Sequence, residues 1–254
     1  MDRISRGALL ERCDVNNRFV FIVPAYNAAD TIARTILSVW MQTYSNWKIL
    51  IRDDMSTDNT VEVVANIQNY LGISDEKILV EINKEKKWEV RNIIELFEKC
   101  EPSDIVCRLD GDDWLCDTDA LSIINHRYET LGVDALWTAH RWSFTNYNIS
   151  GPLPKNADPY THPWVSSHLK TFRKNLIEGI LDENFRGSDG NYFKRIGDQA
   201  IYLPALYRAA GNWHYEPIVA YHYTIEMNTQ TFQTEDSKFQ RSEGELLRAR
   251  GFLK

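Results

Sequence analysis

Much is missing from this 254-residue sequence. It has four cysteines, and Cys13, Cys100, Cys107 and Cys116 form no C-x-x-C pair. That argues against a structural zinc site, and a chain of this length has no need of a disulfide framework. Reduced, mostly buried thiols are the expectation. No run approaches the ~18 apolar residues of a membrane span. The opening Met1-Asp2-Arg3-Ile4-Ser5-Arg6 lacks the apolar segment of a signal peptide. The expectation is a cytoplasmic protein with no integral membrane segment. Basic residues are in deficit, 29 Lys and Arg against 36 Asp and Glu, for a net charge of −7. A nucleic-acid partner needs a basic face, so none is expected. Phosphate-binding glycine loops are absent, both G-x-x-x-x-G-K-[ST] and G-x-G-x-x-G. The six histidines form no H-x-x-x-H pair, which argues against a zinc enzyme.

What is present suits an α/β fold. Hydrophobic residues make up 43% and aromatics 12%, enough for a sizeable core. Phe19-Val20-Phe21-Ile22-Val23 is a strand-length apolar run ending at Pro24, as expected of a strand covered on both faces. A helix follows from Thr31 to about Gln42, with Asp30 as its cap. Trp47–Arg52 reads as a second strand, followed by a helix capped by Ser56 or Thr57 and carrying Val61, Val64, Ile67 and Leu71. Ile78–Ile82 is a third strand, and Val90, Ile93, Ile94 and Phe97 then repeat at helical spacing. Asp104–Leu109 is a fourth strand, and Leu121, Ile124, Tyr128 and Leu131 mark the buried side of the next helix. Four strand–helix alternations imply right-handed crossovers and a mainly parallel sheet. The second half is less regular: one or two strands in Ala135–Phe144, a long loop over 148–165, helices over Ser166–Ile180 and Gly197–Ala209, and a strand over Ile218–Thr224. The organisation expected is an extension over 1–17, one domain over 18–230 and a peripheral helix within 231–254. Residues 18–140 form the first half of that domain and 141–230 the second.

Ligands of open parallel sheets sit beyond the carboxyl ends of the strands. Here those ends carry Pro24-Ala25-Tyr26-Asn27, Asp53-Asp54 and Asp110-Gly111-Asp112-Asp113. Two carboxylates about 4 Å apart repel by roughly 4 kcal/mol at an effective dielectric near 20. A raised pKa, a base from elsewhere or a bound cation must offset that. Oxygen-only donors suit Mg²⁺ or Mn²⁺, with water and substrate phosphate in the remaining positions. Asp117 and Asp119 serve more simply as caps of the next helix.

Three motifs in order, Val23-Pro24-Ala25-Tyr26-Asn27, Ile51-Arg52-Asp53-Asp54-Met55-Ser56-Thr57-Asp58 and Arg108-Leu109-Asp110-Gly111-Asp112-Asp113-Trp114-Leu115, resemble those of a family 2 glycosyltransferase over roughly residues 18 to 140. The resemblance implies the GT-A fold, a Rossmann-like α/β/α sandwich. It also implies a nucleotide-diphosphate sugar donor, a divalent Mn²⁺ or Mg²⁺, and inversion at the anomeric carbon. Carried over by position, Pro24, Ala25, Tyr26 and Asn27 line the nucleotide pocket, Asp54 or Asp53 accepts from the base, and Arg91 reaches the nucleotide. Asp110 and Gly111 belong to the donor site, and Asp112, with Asp110, holds the metal. Met55 departs from the small residue usual at its place.

Inverting transfer also needs a carboxylate to take the acceptor's proton. Asp198, opening the helix at Gly197, resembles the family's base, although the family more often shows Glu-Asp where this chain has Gly-Asp. Asp189 is the substitute. His222 is a further metal candidate. Asp113, Trp164 and His168 are candidates for the donor or acceptor cleft, and Trp142 and Trp213 for stacking on sugar. Trp40, Trp47 and Trp137 fall in core patterns. The expected acceptor is a hydroxyl of a glycan or other molecule, reached in single additions, since the processive enzymes' Gln-x-x-Arg-Trp motif is absent. Two alternatives stand beside this reading. One is a haloacid-dehalogenase-like phosphatase, although its D-x-D lies on the first strand rather than the fourth. The other is a non-catalytic glycan- or nucleotide-binding module.

Overall fold

The computed structural model describes residues 17–224 and 235–254. Cys13 and nearly all of the expected N-terminal extension lie outside them. The first half runs β1 (Phe19–Ala25), α1 (Ile32–Trp40), β2 (Trp47–Asp53), α2 (Thr60–Leu71), β3 (Ile78–Ile82), α3 (Trp88–Phe97), β4 (Ile105–Arg108), β5 (Trp114–Leu115) and α4 (Ala120–Leu131). Then come β6 (Ala135–Trp142), β7 (Lys170–Arg173), two 3₁₀ turns, α5 (Gly197–Ala209), β8 (Trp213–Tyr223) and α6 (Glu235–Arg250). One sheet takes all eight strands in the order β3-β2-β1-β4-β7-β6-β8-β5. β3, β2, β1 and β4 are parallel, and β7 turns the sheet antiparallel on both its sides.

The central strand shows why the apolar runs are continuous. Val20 and Ile22 pack on one face with α3 and α5, while Phe19, Phe21 and Val23 pack on the other with α1 and α4. All five are at most 1% exposed. Each such side chain contributes about 1.5–3 kcal/mol of burial, so helices cover both faces of this α/β/α sandwich. Pro24 continues β1 instead of ending it. The Ile22 carbonyl faces β4 and the Ala25 carbonyl faces β2, so alternation turns Pro24 toward β4, whose register with β1 ends at Ile22. No ladder bond is lost there.

Several expectations change. The stretch expected as a helix from Ser166 is β7 and a 3₁₀ turn. Leu169, Phe172 and Leu176 mimic helical spacing, but β7 fills the gap between β4 and β6, and pairing distant in sequence overrides local periodicity. The late strand starts at Trp213 rather than Ile218, because irregularities opposite Thr138 and Ala139 absorb Pro217. α1 is capped at Thr31 and α2 at Asn59, not at Asp30, Ser56 or Thr57. Trp40 and Leu131 are 44% and 49% exposed, whereas Trp47 and Trp137 are core. The loop over 148–165 holds no helix or strand and is pinned from below, where the buried indoles of Trp137 and Trp213 donate to the carbonyls of Gly151 and Leu153.

Candidate active site

A cleft of about 730 Å³ opens at the carboxyl ends of the parallel strands. Pro24 to Ala28 reach it from β1, Asp54 from β2, Lys86 from the β3–α3 loop, and Asp110-Gly111-Asp112 from β4. Asp198 enters from the start of α5, and Gln240 from α6. Three of the four parallel strands thus deliver the motif residues to one hollow, as their strand-end positions require.

Local bonds hold each motif in place. The Gly111 carbonyl accepts from the hydroxyls of Thr31 and Thr35 at 2.9 and 3.0 Å, which ties the Asp-Gly-Asp turn to α1. A Cβ on Gly111 would stand 3.4 Å from both the Ala25 Cβ and the Pro24 carbonyl, so the turn lies flat against β1. Asn27 and the turn after β2 are interlocked: the Asn27 amide donates to Ser56 Oγ, and the Thr57 amide donates to Asn27 Oδ1. Asp54, 4% exposed, accepts from the Asn83 side chain and from the amides of Lys87 and Trp88 at 2.8–2.9 Å. Burial opposes its ionisation, but these donors outweigh it and hold the carboxyl below the usual carboxylate range. Asp53 is buried and outside the cleft lining. Its Oδ2 accepts from the Ser56 amide, and among the described residues its Oδ1 has no hydrogen-bond partner.

The charged centre is built around Arg108, which is 2% exposed. Its Nη2 donates to Asp110 Oδ1 and Glu89 Oε1, both at 2.8 Å. Glu89 Oε2 accepts from the Gly197 amide at 3.1 Å. Burial, with Asp110 and Asp198 beside it, pushes the Glu89 carboxyl up to about 8 against the pull of Arg108. Next to it, fully buried Lys170 of β7 pairs with Asp198 Oδ1 at 2.5 Å. Burial disfavours the Asp198 charge, but the Lys170 ammonium prevails and holds the carboxyl well below its ordinary range. Lys170 also lies 2.9 Å from His168 Nδ1. An ammonium only donates, so the proton of the neutral ring sits on Nε2, 3.7 Å from Asp198 Oδ2.

Not every candidate reaches the cleft, whose lining omits Asp53, Arg91, Asp113, Trp164, His168 and His222. Arg91 is spent on Glu95 of α3 and on Glu85 of the loop before it. Asp113 is 1% exposed and accepts from the Tyr221 hydroxyl and the Thr224 amide, fastening the end of β8. His222 stacks on Trp114 at 3.6 Å, with its ring nitrogens facing Arg141 and Ser143. His168 stacks with Tyr221 and Tyr223 and sets its Nε2 toward Asp198. Trp164 packs on the core. Asp189 sits in an exposed turn, accepting from Asn191. The sequence reading in turn missed Lys86, Trp88, Glu89, Lys194 and Arg195. Lys86 was within reach, since the residues after β3 end at the same sheet edge as the motifs.

Asp110 and Asp112 offer oxygen donors facing the cleft, the set a hard divalent ion takes when water and phosphate complete its shell. The residues present therefore fit such an ion. Among the described residues no group of three or more His, Cys, Asp or Glu converges on one metal position.

The sequence profile described as Glycosyl transferase family 2 matches residues 20–196, well over half of the chain. The chain belongs to this family. The chain is 30% identical over 161 residues to the putative teichuronic acid biosynthesis glycosyltransferase TuaG of Bacillus subtilis, covering 63% of this chain and 58% of that protein. It is 56% identical over 39 residues to the Escherichia coli UDP-Glc:alpha-D-GlcNAc-diphosphoundecaprenol beta-1,3-glucosyltransferase WfgD, 15% of each chain. The matches thus span well under two thirds of either relative. Its fold matches that of S. aureus TarS 1–349 in complex with UDP-GlcNAc, with TM-score 0.68 and 17% identity over 93% of this chain and 68% of that one. It also matches the mannosyltransferase PcManGT of Pyrobaculum calidifontis in complex with GDP-Man and Mn²⁺, with TM-score 0.61 and 17% identity over 87% of this chain and 62% of that one. These are GT-A proteins, so the fold expected from the motifs is the fold found. Membership of family 2 sets the phosphatase alternative aside. Among the described residues no helix is long and apolar enough to cross a membrane.

Proposed function

We propose that this glycosyltransferase moves one sugar at a time from a nucleoside-diphosphate sugar to a hydroxyl of a growing glycan, with inversion at the anomeric carbon. One observation carries the reading: the Asp110–Asp112 pair and Asp198 face a single cleft from different elements, and Pro24 to Asn27 and Asp54 line the same cleft. The donor's base lies against the Tyr26 and Asp54 end and its diphosphate toward Asp110-Gly111-Asp112. The anomeric carbon is then left beside Asp198.

In the transfer the acceptor oxygen bonds to the anomeric carbon as the bond from that carbon to the diphosphate breaks. The diphosphate leaves with the bonding electron pair, and the acceptor's proton passes to Asp198. With Oδ1 held by Lys170, Oδ2 is the oxygen placed to receive it. The low basicity that Lys170 imposes makes this transfer late, once the attacking hydroxyl has become strongly acidic. A divalent cation held by Asp110 and Asp112 would neutralise charge growing on the diphosphate. The UDP-Glc donor of WfgD and the teichuronic acid biosynthesis ascribed to TuaG favour a UDP-sugar as donor and a polysaccharide as product. The test supplies UDP-glucose, UDP-GlcNAc and GDP-mannose in turn with MnCl₂, and measures thermal shift and nucleoside-diphosphate release. One donor is expected to stabilise the protein and be turned over. Asp198→Asn should keep the shift and lose the turnover. A variant that loses neither removes Asp198 from the role.

A further inference from the structure

We propose that Glu89 is a positioning residue of the transfer site: a single carboxyl group, reaching across from α3, that braces Asp110 and Asp198 against each other. The inference rests on the reading above and adds a residue to it. Glu89 touches both walls of the cleft. Its Oε1 accepts from Arg108 Nη2, the same nitrogen that holds Asp110 Oδ1. Its Oε2 accepts from the amide of Gly197, the residue before Asp198. Its own amide donates to the Lys194 carbonyl, so backbone and side chain grip one segment. Both oxygens accept from donors that cannot turn round. A glutamine there satisfies one of them and sets its NH₂ against the other.

Gly197 shows that the space is reserved for this carboxyl group. A Cβ on Gly197 would stand 2.1 Å from Glu89 Oε1, 2.3 Å from Cδ and 2.9 Å from Cγ. Its backbone lies outside the left-handed region, so no conformational demand for glycine exists. The glycine is required by the Glu89 side chain, which stands where a side chain of residue 197 would begin. An aspartate at 197 would return a carboxylate to nearly the same place from the opposite wall.

The experiment compares Glu89→Gln, Glu89→Ala, Gly197→Ala and the double variant Glu89→Ala/Gly197→Asp. It reads kcat and KM for nucleotide release from the active donor with MnCl₂, calorimetric affinity for UDP with MnCl₂, and the thermal midpoint. Glu89→Gln and Gly197→Ala should each lower kcat by about 10- to 100-fold, the usual cost of removing an outer partner of a functional carboxylate. KM and UDP affinity should stay within about threefold, the catalytic loss being one of placement. A structural role alone predicts a lower thermal midpoint for Gly197→Ala with kcat unchanged, since the clash with Glu89 then costs folding stability only. The double variant should recover at least about tenfold in kcat over Glu89→Ala. Full kcat in Glu89→Gln, or a folded double variant no faster than Glu89→Ala, overturns the inference alone. A wild-type protein that turns over no donor overturns the parent reading and takes the inference with it.

Discussion

Three non-glycine residues, the cleft-lining Asn27 and Trp88 and Met55 next to Asp54, hold a left-handed backbone, at φ 50°, 64° and 65°. Asparagine tolerates this conformation, but methionine and tryptophan are strained in it by about 1–2 kcal/mol each. Such strain persists where the surroundings enforce it, and here the Asn27–Ser56 interlock and the Trp88-to-Asp54 bond do so. Met55 is 44% exposed, so little packing is lost on its removal. Met55→Gly should therefore stabilise the protein by about 1 kcal/mol, a rise of roughly 2–4 °C in thermal midpoint. A fall would mean that the side chain packs better than its exposure indicates. Asp54 illustrates the opposite balance. Its three donors hold its carboxyl below the unfolded value. That contribution is fully present above the unfolded pKa of about 3.9 and is lost as pH falls through the lower folded value. Asp54→Asn should cost about 2–3 kcal/mol at pH 7, and the gap to wild type in urea melts should narrow below about pH 4. A gap independent of pH would show that shape rather than charge is what Asp54 supplies.

At the level of elements, β7 matters most and was the least legible in the sequence. β1, β2 and β3 announce themselves, since continuous apolar runs bounded by polar turns admit no other placement in a parallel sheet. Ser166–Ile180 does not. Its apolar spacing fits a helix, and only the partners β4 and β6, more than 25 residues away in sequence, make Lys170–Arg173 a strand. With that strand hidden, the pairing of Lys170 with Asp198 was hidden too. The strand-end motifs could be placed because the carboxyl edge is a property of topology. Glu89 could not, because nothing in its neighbourhood says that Gly197 will lie against it. The Lys170–Asp198 pair joins β7 to α5, and removing one partner of a buried pair costs up to about 3–5 kcal/mol. Asp198 is 37% open to the cleft, so solvent screening brings Lys170→Met to about 3 kcal/mol or less. The chemical consequence is sharper. Without the ammonium the Asp198 carboxyl rises, so the acidic limb of the kcat profile should move to higher pH in Lys170→Met. An unmoved limb would mean that Asp198 ionisation does not govern turnover.

Over the whole molecule the balance of charge runs against the proposed donor. The chain carries a net −7, and Asp54, Glu89, Asp110, Asp112 and Asp198 all line the cleft that the donor's diphosphate would enter. Lys86, Lys194 and Arg195 stand at its rim, but Lys86 is drawn to Asp54 and lies over the Tyr26 ring. Arg108 and Lys170 are occupied by Glu89, Asp110 and Asp198. With no glycine cradle in the sequence, a diphosphate gains its footing through a cation shared with the protein or through the rim alone. The two routes differ in a measurable way. Exposed rim charges are screened over a Debye length of about 8 Å at physiological salt, so rim-driven binding weakens as salt rises and ignores chelator. Cation-bridged binding depends on the carboxylates. UDP affinity measured by calorimetry should fall at least about tenfold when EDTA replaces MnCl₂, the usual scale for a lost metal–ligand link. Asp112→Asn should reproduce that fall with MnCl₂ present. Asp112 is exposed, so its thermal midpoint should stay near that of wild type. Affinity indifferent to both chelator and Asp112→Asn, yet falling with salt, would assign the diphosphate to Lys194 and Arg195 and leave Asp110 as a partner of Arg108 only.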